Sequence, residues 1–499
     1  MTIQIPTAVS AYRIAAVGVA LALNLAVWVL LPTLLEGSIR LDVAEHVLQG
    51  REWLLAYPKH PPFSIWLVEL ASELGPARYI LLYLLGQVLA ISGLVAAAWL
   101  VRETGQSTPA IAILIGLSTP FLTYGPIQVN HNIGVMPFWG LALATGYAAF
   151  ARGCVRDWLM FGAAIGIGMW AKYSILHLAV PLALLFFSIS DWQRQLATPG
   201  PWLAGALAAA IVAPHGAAVL RQSGTSIDHA LRTFSTGPLD NLAMCFGFLL
   251  QAGLLIAFMG VVAAATTGFS PLWRALDRSF TRARQDRLAL YLHVALFGPI
   301  LLIAFSALLF GIRPRTFWLA PIALSGAAWW ADKAAAACVH RPLRAFKTAA
   351  AFGALFAASY VATRLLAPFT PIPPSYADFD GRALARLAER HWQTVGGTIP
   401  YIVSYGGQRG RQAAGSILFD LESRPRVFED ANPKHSPWID LADLVRRGAL
   451  VISTRPLTPA DHVGGHPITR ITEFERPTVR AGFRDPRKIY FGIVPPASQ

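Results

Sequence analysis

Apolar residues in this chain run in long blocks separated by short charged turns. The blocks are about 17–25 residues long, the length an α-helix needs to cross a hydrocarbon core of roughly 30 Å. Lipid offers backbone N–H and C=O groups no partners, so such blocks must form helices or the strands of a closed barrel. They lack the period-2 alternation of barrel strands and are rich in Ala, Leu, Gly and Val, which makes them helices. The pattern predicts about eleven spans, starting near residues 12, 78, 109, 131, 157, 174, 202, 241, 289, 315 and 346. The first, from about Tyr12 to Pro32, has no small-residue cleavage site closely behind it and reads as a retained span rather than a removed signal.

After Leu366 the pattern changes. Residues 368–374 form a proline-rich linker between a transmembrane region over 1–367 and a soluble C-terminal domain over 375–499. In that domain Gly381–Trp392 reads as an amphipathic helix, and Ile399–Ser404, Ser416–Phe419, Leu450–Ser453 and Lys488–Ile493 read as short strands. The expected class is therefore a polytopic α-helical membrane protein with a small α/β C-terminal domain.

Composition agrees: 55% of residues are hydrophobic and only 14% charged. The net charge of +14 could point to nucleic acid, but many of the cations lie in short loops between apolar blocks, and no Lys/Arg-rich tail or nucleic-acid motif exists. Their placement sets orientation instead. Arg152 and Arg156, the Trp273–Arg287 segment with Arg274, Arg278, Arg282, Arg284 and Arg287, and the Asp332–Lys347 segment all fall on the cytoplasmic side if the N-terminus does. An odd number of spans then puts the C-terminal domain outside. Cys154, Cys245 and Cys338 form no metal-type pair, and no nucleotide-binding glycine loop is visible.

Two outer loops are unusually long, residues 33–77 and about 221–241, and both have the spacing of helices lying along a membrane surface. The first carries Arg40-Leu-Asp42-Val-Ala-Glu45-His46. On a helix Asp42, Glu45 and His46 share one face. Acidic groups at the mouth of an apolar bundle are costly unless solvated or used; the plain alternative is a solvated helix face. A metal site on Asp42, His46 and His60 is conceivable, but the spacing is generic and no metal is indicated. Further on, Tyr57-Pro-Lys59-His60-Pro61-Pro62-Phe63 sets two prolines before a new helix. This puts Lys59 and His60 at a helix N-terminus, a place suited to phosphate.

The Asp-x-x-Glu of the first loop, followed by His-Pro-Pro-Phe-x-x-Trp-Leu at His60–Leu67, resembles the GT-C glycosyltransferases of the protein-mannosyltransferase-like superfamily. That group includes protein O-mannosyltransferases and bacterial lipid A aminoarabinose and galacturonic acid transferases. His60 takes the position where the lipid A branch commonly has Lys. Gln128-Val-Asn130-His131-Asn132 resembles a stretch where many relatives carry a second acidic residue; Asn132 can hydrogen-bond there but cannot act as a base. Gly168-Met-Trp-Ala-Lys172-Tyr173 resembles the family's lysine-bearing span end, and Gly311-Ile-Arg313-Pro-Arg315 its basic–aromatic loop. Arg424–Phe428 and Ser436–Asp440 resemble the soluble domain of bacterial members.

The resemblance implies a GT-C type fold and transfer of a sugar from a polyprenyl-phosphate donor to an envelope glycolipid acceptor such as lipid A. Asp42 and Glu45 would be catalytic. Lys59, His60, Lys172, Arg313 and Arg315 would bind the donor phosphate, and Tyr57, Asn130 and Asn132 would position substrate. No cofactor is required by this chemistry, and the partners expected are the lipid-linked donor, the acceptor and membrane lipids, with no nucleic acid. Protein as acceptor, or a lipid transporter or flippase, remain the alternatives.

Overall fold

The computed structural model describes residues 7–102, 109–189, 191–221, 237–269, 272–273, 276, 286–338, 342–371, 373–483 and 487–497. Among the described residues, fifteen α-helices precede the C-terminal domain: α1 (Thr7–Leu35), α2 (Leu41–Gly50), α3 (Phe63–Glu73), α4 (Arg78–Val101), α5 (Pro109–Leu117), α6 (His131–Gly134), α7 (Met136–Arg152), α8 (Val155–Ala171), α9 (Leu176–Ser188), α10 (Trp192–Leu196), α11 (Pro199–Arg221), α12 (Pro238–Thr267), α13 (Arg287–Phe310), α14 (Leu319–Cys338) and α15 (Pro342–Leu366). Each of the eleven expected apolar blocks contains a helix. Among the described residues, seven helical stretches are long and apolar enough to cross a membrane, within α1, α4, α6–α7, α11, α12, α13 and α15. α5, α8 and α9 are shorter, at 9, 17 and 13 residues.

Close backbone approach holds the centre of the bundle. At Gly93 in α4 a Cβ would lie 2.4 Å from the Met136 carbonyl oxygen, and at Gly140 in α7 it would lie 2.1 Å from that of Gly93. The α4–α7 crossing therefore has room for no side chain at either position. α7 continues back through α6 to Asn130, so this crossing fixes the height at which residues 128–132 emerge.

The 33–77 loop departs from the expected surface-lying helices. Seven residues of α2 are buried, including Glu45 and His46, because the C-terminal domain covers it. Asp332 and Lys333, expected among the loop charges, are inside α14 and pair with each other at 3.0 Å, each side chain 2% exposed. The segment with Arg274, Arg278, Arg282 and Arg284, and most of the second outer loop, lie outside the described residues.

The C-terminal domain contains α16 (Gly381–Trp392), α17 (Gly407–Asp420), α18 (Leu441–Arg447) and strands β1 (Tyr401–Tyr405), β2 (Arg426–Phe428), β3 (Ala449–Ser453), β4 (His462–Val463), β5 (His466–Pro467), β6 (Thr469–Glu475) and β7 (Lys488–Val494). The main sheet has the order β2-β1-β3-β7-β6. β1 lies parallel to both β2 and β3, and β7 closes antiparallel on β3. Three of the four expected strands are there. Ser416–Phe419 is instead the last part of α17; a short apolar run carries no period that separates a buried helix from a strand.

α17 lies on α2. A Cβ at Gly415 would meet the Ala44 Cβ at 2.7 Å, the Ser38 and Ser416 hydroxyls are 2.7 Å apart, and Gln412 Nε2 donates to the Ile39 carbonyl at 3.1 Å. Around this contact Arg424 pairs with Glu69 at 2.7 Å and Arg426 with Glu52 at 2.5 Å. The C-terminal domain is thus bolted to the loop that carries the sequence motif.

Candidate active site

Asp42 stands in the first turn of α2, where the helix dipole favours a carboxylate. Its Oδ2 accepts from Gln128 Nε2 at 2.6 Å and Asn130 Nδ2 at 2.9 Å. Asn130 is bonded at both ends of its amide: Oδ1 caps α6 by accepting from the Asn132 and Ile133 N–H groups at 2.9 and 3.2 Å. Capping therefore fixes the amide that orients Asp42. Oδ1 of Asp42 carries no hydrogen bond among the described residues.

Glu45, one turn on, is buried. Its Oε2 takes the Lys59 ammonium at 2.8 Å, while Oε1 faces Arg411 of α17 at 3.6 Å. Lys59 and His60 occupy the bend before α3, whose N-cap is Pro62. The His60 ring lies 4.2 Å from that of His131, centroid to centroid. His131 in turn sets its Nε2 3.0 Å from Nε2 of buried His46. Burial pushes His46 down to about 4, so it is neutral at ordinary pH. Among the described residues no group of three His, Cys, Asp or Glu side chains could hold a metal ion.

Lys172 follows the last turn of α8 in extended conformation. Its ammonium donates to Asn132 Oδ1 and sits 5.0 Å from the centre of the Trp318 ring. Asn132 therefore holds the lysine rather than standing free. Arg313 and Arg315 lie in the turn between α13 and α14, both exposed, and Trp318 connects that turn to Lys172. Tyr57 is buried in the loop: its hydroxyl accepts from the Leu54 N–H at 3.1 Å and its ring meets Trp438 edge-on at 6.3 Å.

The structure thus gathers Asp42, Glu45, Lys59, His60, Asn130, Asn132 and Lys172 at one end of the bundle. Arg313 and Arg315 stand at its rim, and Tyr57 braces the loop against the C-terminal domain. No role was legible in sequence for Gln128, two positions before Asn130, or for Trp318, three positions after Arg315. The sequence carried no signal for Arg411.

Residues 59–217 match the family model described as dolichyl-phosphate-mannose-protein mannosyltransferase. The lipopolysaccharide core galacturonosyltransferase RgtA of Rhizobium johnstonii is 23% identical over 276 residues, 53% of this chain and 53% of that protein. The chain's match thus spans about half the length of this curated relative. Two crystal structures of ArnT from Cupriavidus metallidurans share the fold. The one bound to undecaprenyl phosphate has a TM-score of 0.63 at 14% identity, covering 98% of each chain. The apo one has a TM-score of 0.61 at 13% identity, covering 97% of this chain and 98% of that one. The shared fold of ArnT, the likeness to RgtA and the family match over residues 59–217, which include Lys59, His60, Asn130, Asn132 and Lys172 but not Asp42 or Glu45, together support a GT-C superfamily member.

Proposed function

We propose that the chain is a membrane glycosyltransferase that moves a sugar from a polyprenyl-phosphate donor to an envelope glycolipid, lipid A or similar, at the periplasmic face of the bacterial inner membrane. The observation that carries this reading is one carboxylate, Asp42, fixed by Gln128 and Asn130 in a site where Glu45, one turn on, holds Lys59 and Asn132 holds Lys172.

In this reaction an acceptor hydroxyl oxygen bonds to the anomeric carbon as the bond from that carbon to the phosphate oxygen breaks. Asp42 takes the hydroxyl proton, for which its unbonded Oδ1 is the available atom. The electron pair leaves with the polyprenyl phosphate, and cations already in place stabilise the charge that develops there. Lys59, His60 and Lys172 serve the phosphate from within the site, and Arg313 and Arg315 from its rim. A single displacement inverts the anomeric centre, and the scheme requires no metal or nucleotide. The undecaprenyl phosphate bound to ArnT and the galacturonosyl transfer named for RgtA support a lipid-linked donor and a lipopolysaccharide-type acceptor.

Residues 375–499 would form the periplasmic domain, joined by 368–374, with the N-terminus cytoplasmic. Purified full-length protein in detergent micelles should form glycosylated lipid from a polyprenyl-phosphate sugar. Micelles have no second compartment, so a flippase would give no product there, and a protein glycosyltransferase would leave the lipid unmodified. A periplasmic reporter fused after Pro374 should be active and one fused at Arg282 inactive; the reverse pattern puts the site on the wrong face.

A further inference from the structure

The Glu45 carboxylate is shared by two parts of the molecule. Oε2 meets Lys59 of the 33–77 loop at 2.8 Å, and Oε1 meets Arg411 of the C-terminal domain at 3.6 Å. Arg411 also pairs through Nη1 with Asp430 and lies 3.8 Å from Glu429 through Nε. Its side chain is 15% exposed, so these contacts are little screened by water. The packing of Gly415 on Ala44 sets where Arg411, one helical turn earlier, can reach.

The charges come close to balance. Glu45 and Asp430 oppose Arg411 and Lys59, while burial pushes the Glu429 carboxyl up to about 7, so that only about half of it is charged at neutral pH. Removing Arg411 leaves Lys59 facing Glu45 and, among the described residues, Asp430 with only His435 beside it, at 3.3 Å. The lysine is then drawn fully into its ion pair, and a phosphate approaching the loop meets net negative charge. We infer that Arg411 is a positioning residue of the site, which neutralises and fixes Glu45 so that Lys59 stays available to a phosphate ligand. The C-terminal domain is then a working part of the site rather than a cover. This rests on the reading that the site binds a lipid-linked phosphate.

The test uses purified full-length protein in detergent micelles and undecaprenyl phosphate as the probe. Arg411→Gln keeps the stem and loses the charge; it should weaken probe binding about five- to twentyfold. Arg411→Lys should stay within about threefold of wild type, since a point charge serves where no bidentate fork is made to Glu45. Arg411→Gln combined with Asp430→Asn restores the charge balance and should recover most of the affinity. Arg424→Gln breaks an ion pair of the same interface away from Glu45 and should leave binding unchanged.

Wild-type affinity in Arg411→Gln overturns the inference. So does an equal loss in Arg424→Gln, which would mean that Arg411 acts only by docking the domain. If Arg411→Gln does not fold, the doubly substituted protein decides: near-wild-type binding supports the inference, and weak binding by a folded double variant overturns it. Lys172→Ala separates the levels. Loss in Lys172→Ala with none in Arg411→Gln removes only the role of Arg411; loss in neither removes the phosphate site itself.

Discussion

Two sets of cations flank the candidate site, and they are held differently. Lys59 and Lys172 are each bonded, to Glu45 at 2.8 Å and to Asn132 beneath the Trp318 ring. Arg313 and Arg315, on the turn between α13 and α14, are exposed. In the first set the side-chain entropy of ordering is spent when the protein folds; in the second it is spent when a ligand arrives. The lysines are therefore suited to stabilising charge that develops during reaction, and the arginines to attracting an anion to the mouth of the site.

The largest expected effect tests Asp42, the carboxylate that shares the site with the two held lysines. Asp42→Asn should lower turnover at least about a hundredfold, the order of a lost general base. The fold should persist, because an asparagine oxygen still accepts from Gln128 and Asn130. Turnover and thermal melting of the purified variant check this, and near-wild-type turnover removes Asp42 from the role of base.

Next come the cations themselves. Lys172→Ala should weaken donor use about ten- to a hundredfold, and Lys172→Arg should also fail because a planar fork does not replace a compact ammonium under Trp318. Arg313→Ala and Arg315→Ala should each cost about two- to fivefold, a loss that shrinks further at high salt. Kinetics against donor concentration at two ionic strengths make the comparison. Equal losses in all three alanine variants would break the distinction between held lysines and rim arginines.

Glu45→Gln should be milder than Asp42→Asn, within about tenfold of wild type, since Glu45 acts through Lys59 rather than on the acceptor. A loss as deep as that of Asp42→Asn would make Glu45 a direct participant.

The smallest effect concerns the interface beneath the site. Burial raises the Glu429 carboxyl to about 7; the hydrogen bond from Gln49 and the charge of Arg411 oppose this and the nearby charge of Glu45 adds to it. A proton is then bound more tightly in the folded state than at the ordinary value of 4.5. The stabilisation is complete below that ordinary value and is lost as pH rises through about 7. Melting midpoints from about pH 5 to about pH 8 should fall by a few degrees more in wild type than in Glu429→Gln, which stays neutral throughout. Parallel curves for the two proteins would show that Glu429 does not titrate in this range.

Legibility divided along the range of the forces involved. The helices were readable because lipid forces each apolar block to satisfy its own backbone, a local requirement written in consecutive residues such as Arg287–Phe310. Asp42, Glu45, Lys59, Asn130 and Lys172 were readable as types of group in motif-bearing loops. Their partners were not. Nothing near Asp42 in sequence names Gln128 or Asn130, and only the Gly93–Gly140 crossing sets the height at which they meet it. Likewise Ser416–Phe419 could be read as a strand until its place at the end of α17 was known, and Arg411 reaches Glu45 only because α17 beds on α2 through Gly415 and Ala44. Hydropathy and period act between neighbours along the chain, so the sequence by itself determined the bundle and the chemistry of the groups at its mouth. Which charge neutralises which depends on contacts between elements far apart in the chain, and the tertiary structure alone decided that.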